Sequence, residues 1–150
     1  MLAASLQQLI DLGIRGRYLK AVEHFWPNQI SVVIPCGDDL AHLHQGKHSL
    51  AVRIPADETR RALLKTTGPL MTTSANHPGE PTAHNIERAQ TYFGDAVDFY
   101  VDTGDAGERP PSTIIRVVDD AIEVLRLGAV KVDETGRIIR GFICLMSLLL

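Results

Sequence analysis

The sequence predicts an α/β fold, a twisted mixed open sheet with flanking helices, and three observations carry that reading. Two β-rich runs each close on a proline, "QISVVIP" (29–35) and "SLAVRIP" (49–55). Amphipathic stretches at helical spacing alternate with such runs. Two further strand-like runs, "PSTIIRVV" and "AIEVLRLG", come late in the chain. The expected order after two short N-terminal helices is β, β, α, β, α, β, β, β, which places helices on a mixed sheet.

Each element has its own signal. Leu2, Leu6, Leu9, Ile10 and Leu12 share a helical period, and Gly13 supplies the stop. A second helix is expected from Arg17 to His24, broken by "FWPN". The polar loop "CGDDLAHLHQGKH" joins the two proline-closed strands. "ADETRRALLKTTG" reads as a helix with Asp57 near its start and Gly68 at its stop. "PLMTTSA" then reads as a strand that turns polar as it ends. "TAHNIERAQTYFGDA" reads as a helix with Thr82 or His84 near its start and Gly94 after it, and "VDFYVD" as another strand.

A chain of 150 residues suits one domain with a single core, so residues 1–150 are read as one domain. "TGDAGERPPS" (103–112) is the only linker-like piece. From about residue 138 the chain becomes an apolar tail ending in "FICLMSLLL", about half the ~20 residues that cross a bilayer. It is read as a buried terminal element or a non-native end, and no membrane anchor is expected. Hydrophobic residues at 45% and charged residues at 22% exclude a disordered or fibrous chain. A net charge of -3 gives no global pull toward polyanions, so any phosphate contact must come from a local cluster. Cys36 and Cys144 lie far apart without CxxC spacing, and the N-terminus lacks a signal-peptide pattern; reduced thiols in a cytoplasm are expected.

Four polar stretches stand at strand ends: "HSLAVR", "TTSAN", "PPST" and "VLRLG". Ligands of α/β sheets gather where strand ends and loops converge. Arg53 interrupts an otherwise apolar strand, and a guanidinium there needs a carboxylate or phosphate partner unless it lies on a solvated face. Ser74 and Asn76 offer a hydroxyl and an amide suited to a carboxylate, hydroxyl or ribose, although turns are built from the same residues. Ser112 and Thr113 follow two stiffening prolines, and Arg126 precedes a glycine turn. His42, His44 and His48 invite a zinc reading, but no partner stands at structural-zinc spacing, so a solvated loop is expected and no metal site is assigned. Cys36 has no base near it in sequence, and neither GxxxxGK[ST] nor GxGxxG occurs.

"FWPNQISVVIP", "SLAVRIP", "GPLMTTSANHPGEPT", "PSTIIRV" and "VLRLG" together resemble, in order and spacing, the YrdC-like family of threonylcarbamoyl-AMP synthases over about residues 5 to 130. The resemblance implies a concave positive cavity where L-threonine, bicarbonate and ATP give threonylcarbamoyl-AMP and pyrophosphate, with Mg2+ assisting. The product would pass to downstream transfer proteins that make t6A37 in tRNA. By motif, Arg53, Ser74 and Ser112 are implied on the L-threonine side, and Ser49, Asn76, His84 and Arg126 on the nucleotide side. No residue is implied as a chemical catalyst.

Two departures stand out. "PNQIS" replaces the family's "PGPLT", with Ser31 keeping a hydroxyl, and His84 stands where Thr or Ser is common. The family's leading strand, "PT-T-YGL" and basic "KR-x-x-K-P" do not occur in this sequence, so an N-terminally truncated member, or one completed by a partner such as a second copy, is expected. Two other readings stay open: a non-catalytic module of the same fold binding double-stranded RNA, tRNA or a nucleotide, and a carbamoyl-transfer domain.

Overall fold

The computed structural model describes residues 1–107, 109–119 and 121–139. The apolar tail "FICLMSLLL" lies outside the described residues. The chain forms two compact units, residues 71–110 and the remainder.

In the larger unit, helix α1 (Leu6–Leu12) is capped by the Ser5 hydroxyl and ends at Gly13, whose φ of 113° is a left-handed conformation that glycine adopts without strain. Helix α2 (Gly16–Val22) continues into a 3-10 turn, Glu23–Phe25. Strand β1 (Ile30–Pro35) follows, then a 3-10 turn (Asp38–Leu40), the single-turn helix α3 (Ala41–His44) and strand β2 (Ser49–Val52). Helix α4 (Glu58–Thr67) starts at Asp57, whose carboxylate accepts from the Arg60 N–H, and stops at Gly68.

Strands β3 (Thr113–Val118) and β4 (Ala121–Arg126) complete a four-stranded sheet in the order β2-β1-β3-β4. β1 runs parallel to β3 and antiparallel to β2, and β3 runs antiparallel to β4, so the sheet is mixed as expected. Two short strands, β5 (Lys131–Val132) and β6 (Ile138–Ile139), form a separate hairpin.

The alternation of β1 decides which face is buried. Ile30, Val32 and Ile34 point into a core shared with Leu50 and Val52 of β2, Ile115 of β3, and Leu9, Leu19, Val22 and Phe25 of the helical layer. Ser31 and Val33 point the other way and are only half-buried.

The smaller unit contains helix α5 (Ile86–Phe93) and a 3-10 turn, Gly94–Ala96. The α5 cap is Asn85, whose side chain accepts from the Arg88 N–H, so neither Thr82 nor His84 is the cap. Asn85 wins because its short amide reaches the third N–H of the helix from an extended backbone.

Two expected strands do not form. In "PLMTTSA" only Leu70 pairs, bridging to Leu2, and residues 71–74 leave the ladder. "VDFYVD" has no strand partner among the described residues, with Phe99 at 77% and Val101 at 71% exposure. Period-two alternation describes a strand only when another strand lies beside it to take its N–H and C=O groups.

Candidate functional site

The sheet registers assemble one row of side chains on the face opposite the core. Ser31 of β1 pairs with Ile114 of β3, and Ile114 with Arg126 of β4. Arg53 follows the last β1–β2 pair, Val32 and Val52, and by strand alternation lies on the same face as Ala51, Val33 and Ser31. Residues that share a row share a face, so the sheet projects Arg53, Ser31 and Arg126 from the same side.

Arg53 is held by its backbone, with its N–H donating to the Met1 carbonyl and its C=O accepting from Ala3. Its Nε is buried and has no hydrogen-bond partner. None of the ion pairs among the described residues involves it. Burial holds its guanidinium below the usual arginine range, and the neighbouring charges of Arg60 and Arg126 push the same way. Leaving a buried donor unmet costs about 1–3 kcal/mol. An anion reaching Arg53 would offset both the desolvation and the repulsion among three cations.

Arg126 and Ser112 are locked together. The guanidinium Nε and Nη2 donate to the Ser112 carbonyl at 3.1 and 2.8 Å, and Nη2 also donates to the Ser112 hydroxyl at 3.1 Å. The Ser112 and Ser31 hydroxyl oxygens lie 3.3 Å apart.

Beneath them Thr113 is fully buried. Its hydroxyl donates to the Val130 carbonyl and accepts from the N–H groups of Gly128 and Val130. Gly128 lies so close to β3 that a Cβ there would meet the Pro111 carbonyl oxygen at 2.2 Å. Thr113 and Gly128 therefore hold the end of β4 against the start of β3. The "ST" and "RLG" motifs signal the Thr113 hydroxyl and the glycine turn in the sequence, but their mutual support depends on the fold.

Ser49 is not brought to this row. It starts β2 opposite Pro35, and its hydroxyl donates to the Lys47 carbonyl. It shares a face with Arg53 but stands four residues away, roughly 13 Å along a strand.

Within the smaller unit, Ser74 is exposed and Asn76 is half-buried. The Asn76 amide donates to the His77 carbonyl and its carbonyl oxygen accepts from the Thr82 hydroxyl, so this side chain shapes its own loop. His77 Nε2 and the Tyr92 carbonyl, 2.9 Å apart, fasten the loop to α5. His84 lines a cavity of about 170 Å³ together with Tyr100, Val101, Thr103 and Gly104.

The histidine loop departs from expectation. His44 is buried at 3% exposure, while His42 and His48 are exposed. Asp38, His44 and His48 place candidate ligand atoms within 4.8 Å of one another, a potential metal-coordinating set. Asp38 joins through the preceding 3-10 turn, which sequence spacing did not reveal. His44 Nδ1 accepts from the N–H groups of Gly46 and His48, which puts the ring proton on Nε2, facing the Gly37 carbonyl at 3.2 Å. Both nitrogens already serve the loop.

Fold and site together define an α/β protein whose mixed sheet carries Arg53 and Arg126 on the face opposite the core. A family model described as telomere recombination, covering Sua5, YciO and YrdC proteins, matches residues 1–128, and the chain belongs to that family. It is 36% identical to the threonylcarbamoyl-AMP synthase of Marinobacter nauticus over 124 residues, which is 79% of this chain and 65% of that protein. It is 30% identical to the threonylcarbamoyl-AMP synthase of Idiomarina loihiensis over 128 residues, 81% of this chain and 69% of that protein. The crystal structure of P. abyssi Sua5 complexed with L-threonine superposes with a TM-score of 0.72 at 26% identity, covering 86% of this chain and 39% of that one. E. coli YciO shares the fold, with a TM-score of 0.59 at 22% identity over 83% of this chain and 62% of that one. The chain spans about half to two thirds of the length of the curated relatives it matches. Among the described residues no helix is long and apolar enough to cross a membrane.

Proposed function

We propose that this chain carries the L-threonine-recognising part of a threonylcarbamoyl-AMP synthase, which turns L-threonine, bicarbonate and ATP into threonylcarbamoyl-AMP and pyrophosphate for t6A37 modification of tRNA. The observation that carries the reading is Arg53: a guanidinium with a buried, unpartnered Nε, no carboxylate paired to it among the described residues, and Ser31 on the same sheet face. A ligand carboxylate supplies the missing acceptor and the missing charge. Similarity to a Sua5 structure holding L-threonine supports the choice of an amino-acid carboxylate. The family match runs through both compact units, and we read them as one functional domain.

The chemistry asks the protein for positioning. The threonine amine attacks bicarbonate, forming an N–C bond with loss of water, and a carbamate oxygen then displaces pyrophosphate from the α-phosphate of ATP. Arg53 holds the carboxylate end, and the Ser112 hydroxyl offers a neutral contact beside it. The motif assignments of Ser74 to L-threonine, and of Ser49, Asn76, His84 and Arg126 to the nucleotide, belong to the same proposal. Mg2+ bound to ATP would offset phosphate charge. Of the Asp38, His44 and His48 set only Asp38 is a hard oxygen donor, and both nitrogens of His44 are engaged, so these residues fit Mg2+ poorly and no step runs through them.

Titration calorimetry of the whole chain with L-threonine should show saturable binding that Arg53→Ala weakens at least about tenfold, the scale of a lost charge-assisted pair. Equal affinity in the variant, or no binding by the unmodified chain, would overturn the reading. Pyrophosphate release with all three substrates then separates turnover from substrate binding alone.

A further inference from the structure

We infer that Arg126 is a positioning residue for the Ser112 hydroxyl, with Ser31 as the second member of the relay. The inference deepens the proposed function and rests on it, because the hydroxyl being aimed is the one assigned to L-threonine.

The motif alone would send Arg126 to phosphate. Its hydrogen bonds give it a second task. Of five guanidinium N–H groups, three are engaged with a single residue: Nε–H and one Nη2–H with the Ser112 carbonyl, and the other Nη2–H with the Ser112 hydroxyl oxygen. Among the described residues the Nη1 pair is left over for the nucleotide side. Because the Ser112 oxygen accepts from Arg126, its own proton is directed away from the guanidinium, either to Ser31 Oγ at 3.3 Å or to an incoming acceptor. Ser31 is thus the hydroxyl that shares a hydrogen bond with Ser112 when no ligand is present.

The geometry is braced on both sides. Arg126 faces Ile114 across the ladder, just past a register irregularity at which Leu125 of β4 is the extra residue between the Ile115–Val124 and Ile114–Arg126 pairs. Thr113 and Gly128 close the same junction from beneath. A fork clamped on both the carbonyl and the hydroxyl of one residue fixes its backbone and side chain together, which a lysine, donating from one atom, does not reproduce.

The test measures dissociation constants of the whole chain for L-threonine and, separately, for a non-hydrolysable ATP analogue, alongside NMR exchange of the Arg126 Nε–H. Arg126→Ala and Ser112→Ala should each weaken L-threonine about tenfold, and the double variant little more than either, since both remove the same aimed hydroxyl. Arg126→Lys should not restore affinity. Ser31→Ala should weaken L-threonine by a smaller factor, and Ser31→Thr should restore it. The Nε–H should exchange slowly in the ligand-free chain and in Ser112→Ala, which keeps the backbone carbonyl, and fast in Gly128→Ala, which displaces the end of β4.

Loss of ATP-analogue affinity with L-threonine affinity unchanged would overturn the inference and leave Arg126 to the nucleotide alone. Additive losses in the double variant would do the same. Fast Nε–H exchange in the unmodified chain removes the clamp whatever binds. Slow exchange without any L-threonine binding by the unmodified chain identifies failure of the functional reading, and the positioning role falls with it.

Discussion

Gly128 shows how much a single position carries here. An added Cβ would sit 2.2 Å from the Pro111 carbonyl oxygen and 2.6 Å from the Ser112 carbonyl carbon, both backbone atoms with no side chain to swing aside. Gly128→Ala must push the end of β4 away from β3, taking Arg126 off Ser112 and breaking the Thr113 contacts. A loss of about 1–3 kcal/mol in urea-unfolding stability is expected, the usual scale for overpacking a tight contact, together with weaker L-threonine binding. An unchanged midpoint and unchanged affinity would show that the junction yields without cost. Arg53 works by the opposite logic, since its significance is a partner it lacks rather than one it has.

Among the elements, the helices were the most legible. Asp57 and Gly68 bound α4 as their residue types predict, because a cap is a local hydrogen bond between neighbours in sequence. The β5–β6 hairpin depends on a similarly local device. The Asp133 carboxylate accepts from the Thr135 N–H, the Thr135 hydroxyl and the Arg137 N–H, closing the turn. The Thr135 hydroxyl first, and the Arg137 N–H next, hold its pKa below the usual carboxylate range. A depressed carboxylate contributes stability that is complete above its unfolded pKa and is lost as pH falls through the folded one. Asp133→Ala should therefore lower the urea midpoint at neutral pH, and the gap from the unmodified chain should close on the acid side of the carboxylate range. A gap that persists in acid would rule out the carboxylate as its cause. "VDFYVD" marks the limit of local reading, since its alternation is genuine and its partner strand is absent from the described residues.

At the scale of the whole molecule, burial is unevenly shared. Every residue of the core cluster belongs to the larger unit, and no described residue of 71–110 is buried, α5 included. Opening free energies follow buried apolar contact, so local opening should be easiest in the smaller unit. Hydrogen exchange should find α5 amides exchanging far faster than those of Val32 and Ile115 in the central strands. Equal protection would mean that the smaller unit gains stability from contacts that burial does not report. The uneven distribution also bears on the site: Arg53, Ser31, Ser112 and Arg126 stand on the sheet of the better-packed unit, where side-chain directions are held most firmly.

The sequence by itself determined the mixed α/β class, the two proline-closed strands and the helix stops, and it singled out Arg53, Ser112 and Arg126 as candidates, because period, caps and an arginine in an apolar strand are local signals. Only the tertiary structure decided that Ser31 lies on the sheet face that carries Arg53 and Arg126, that Arg126 is engaged with Ser112, and that His44 is a buried loop brace close to Asp38. It also decided that "PLMTTSA" and "VDFYVD" are not strands. The physical reason is common to all of these: strand register and pairing join residues far apart in sequence, and a side chain's role follows from the partners that register brings to it.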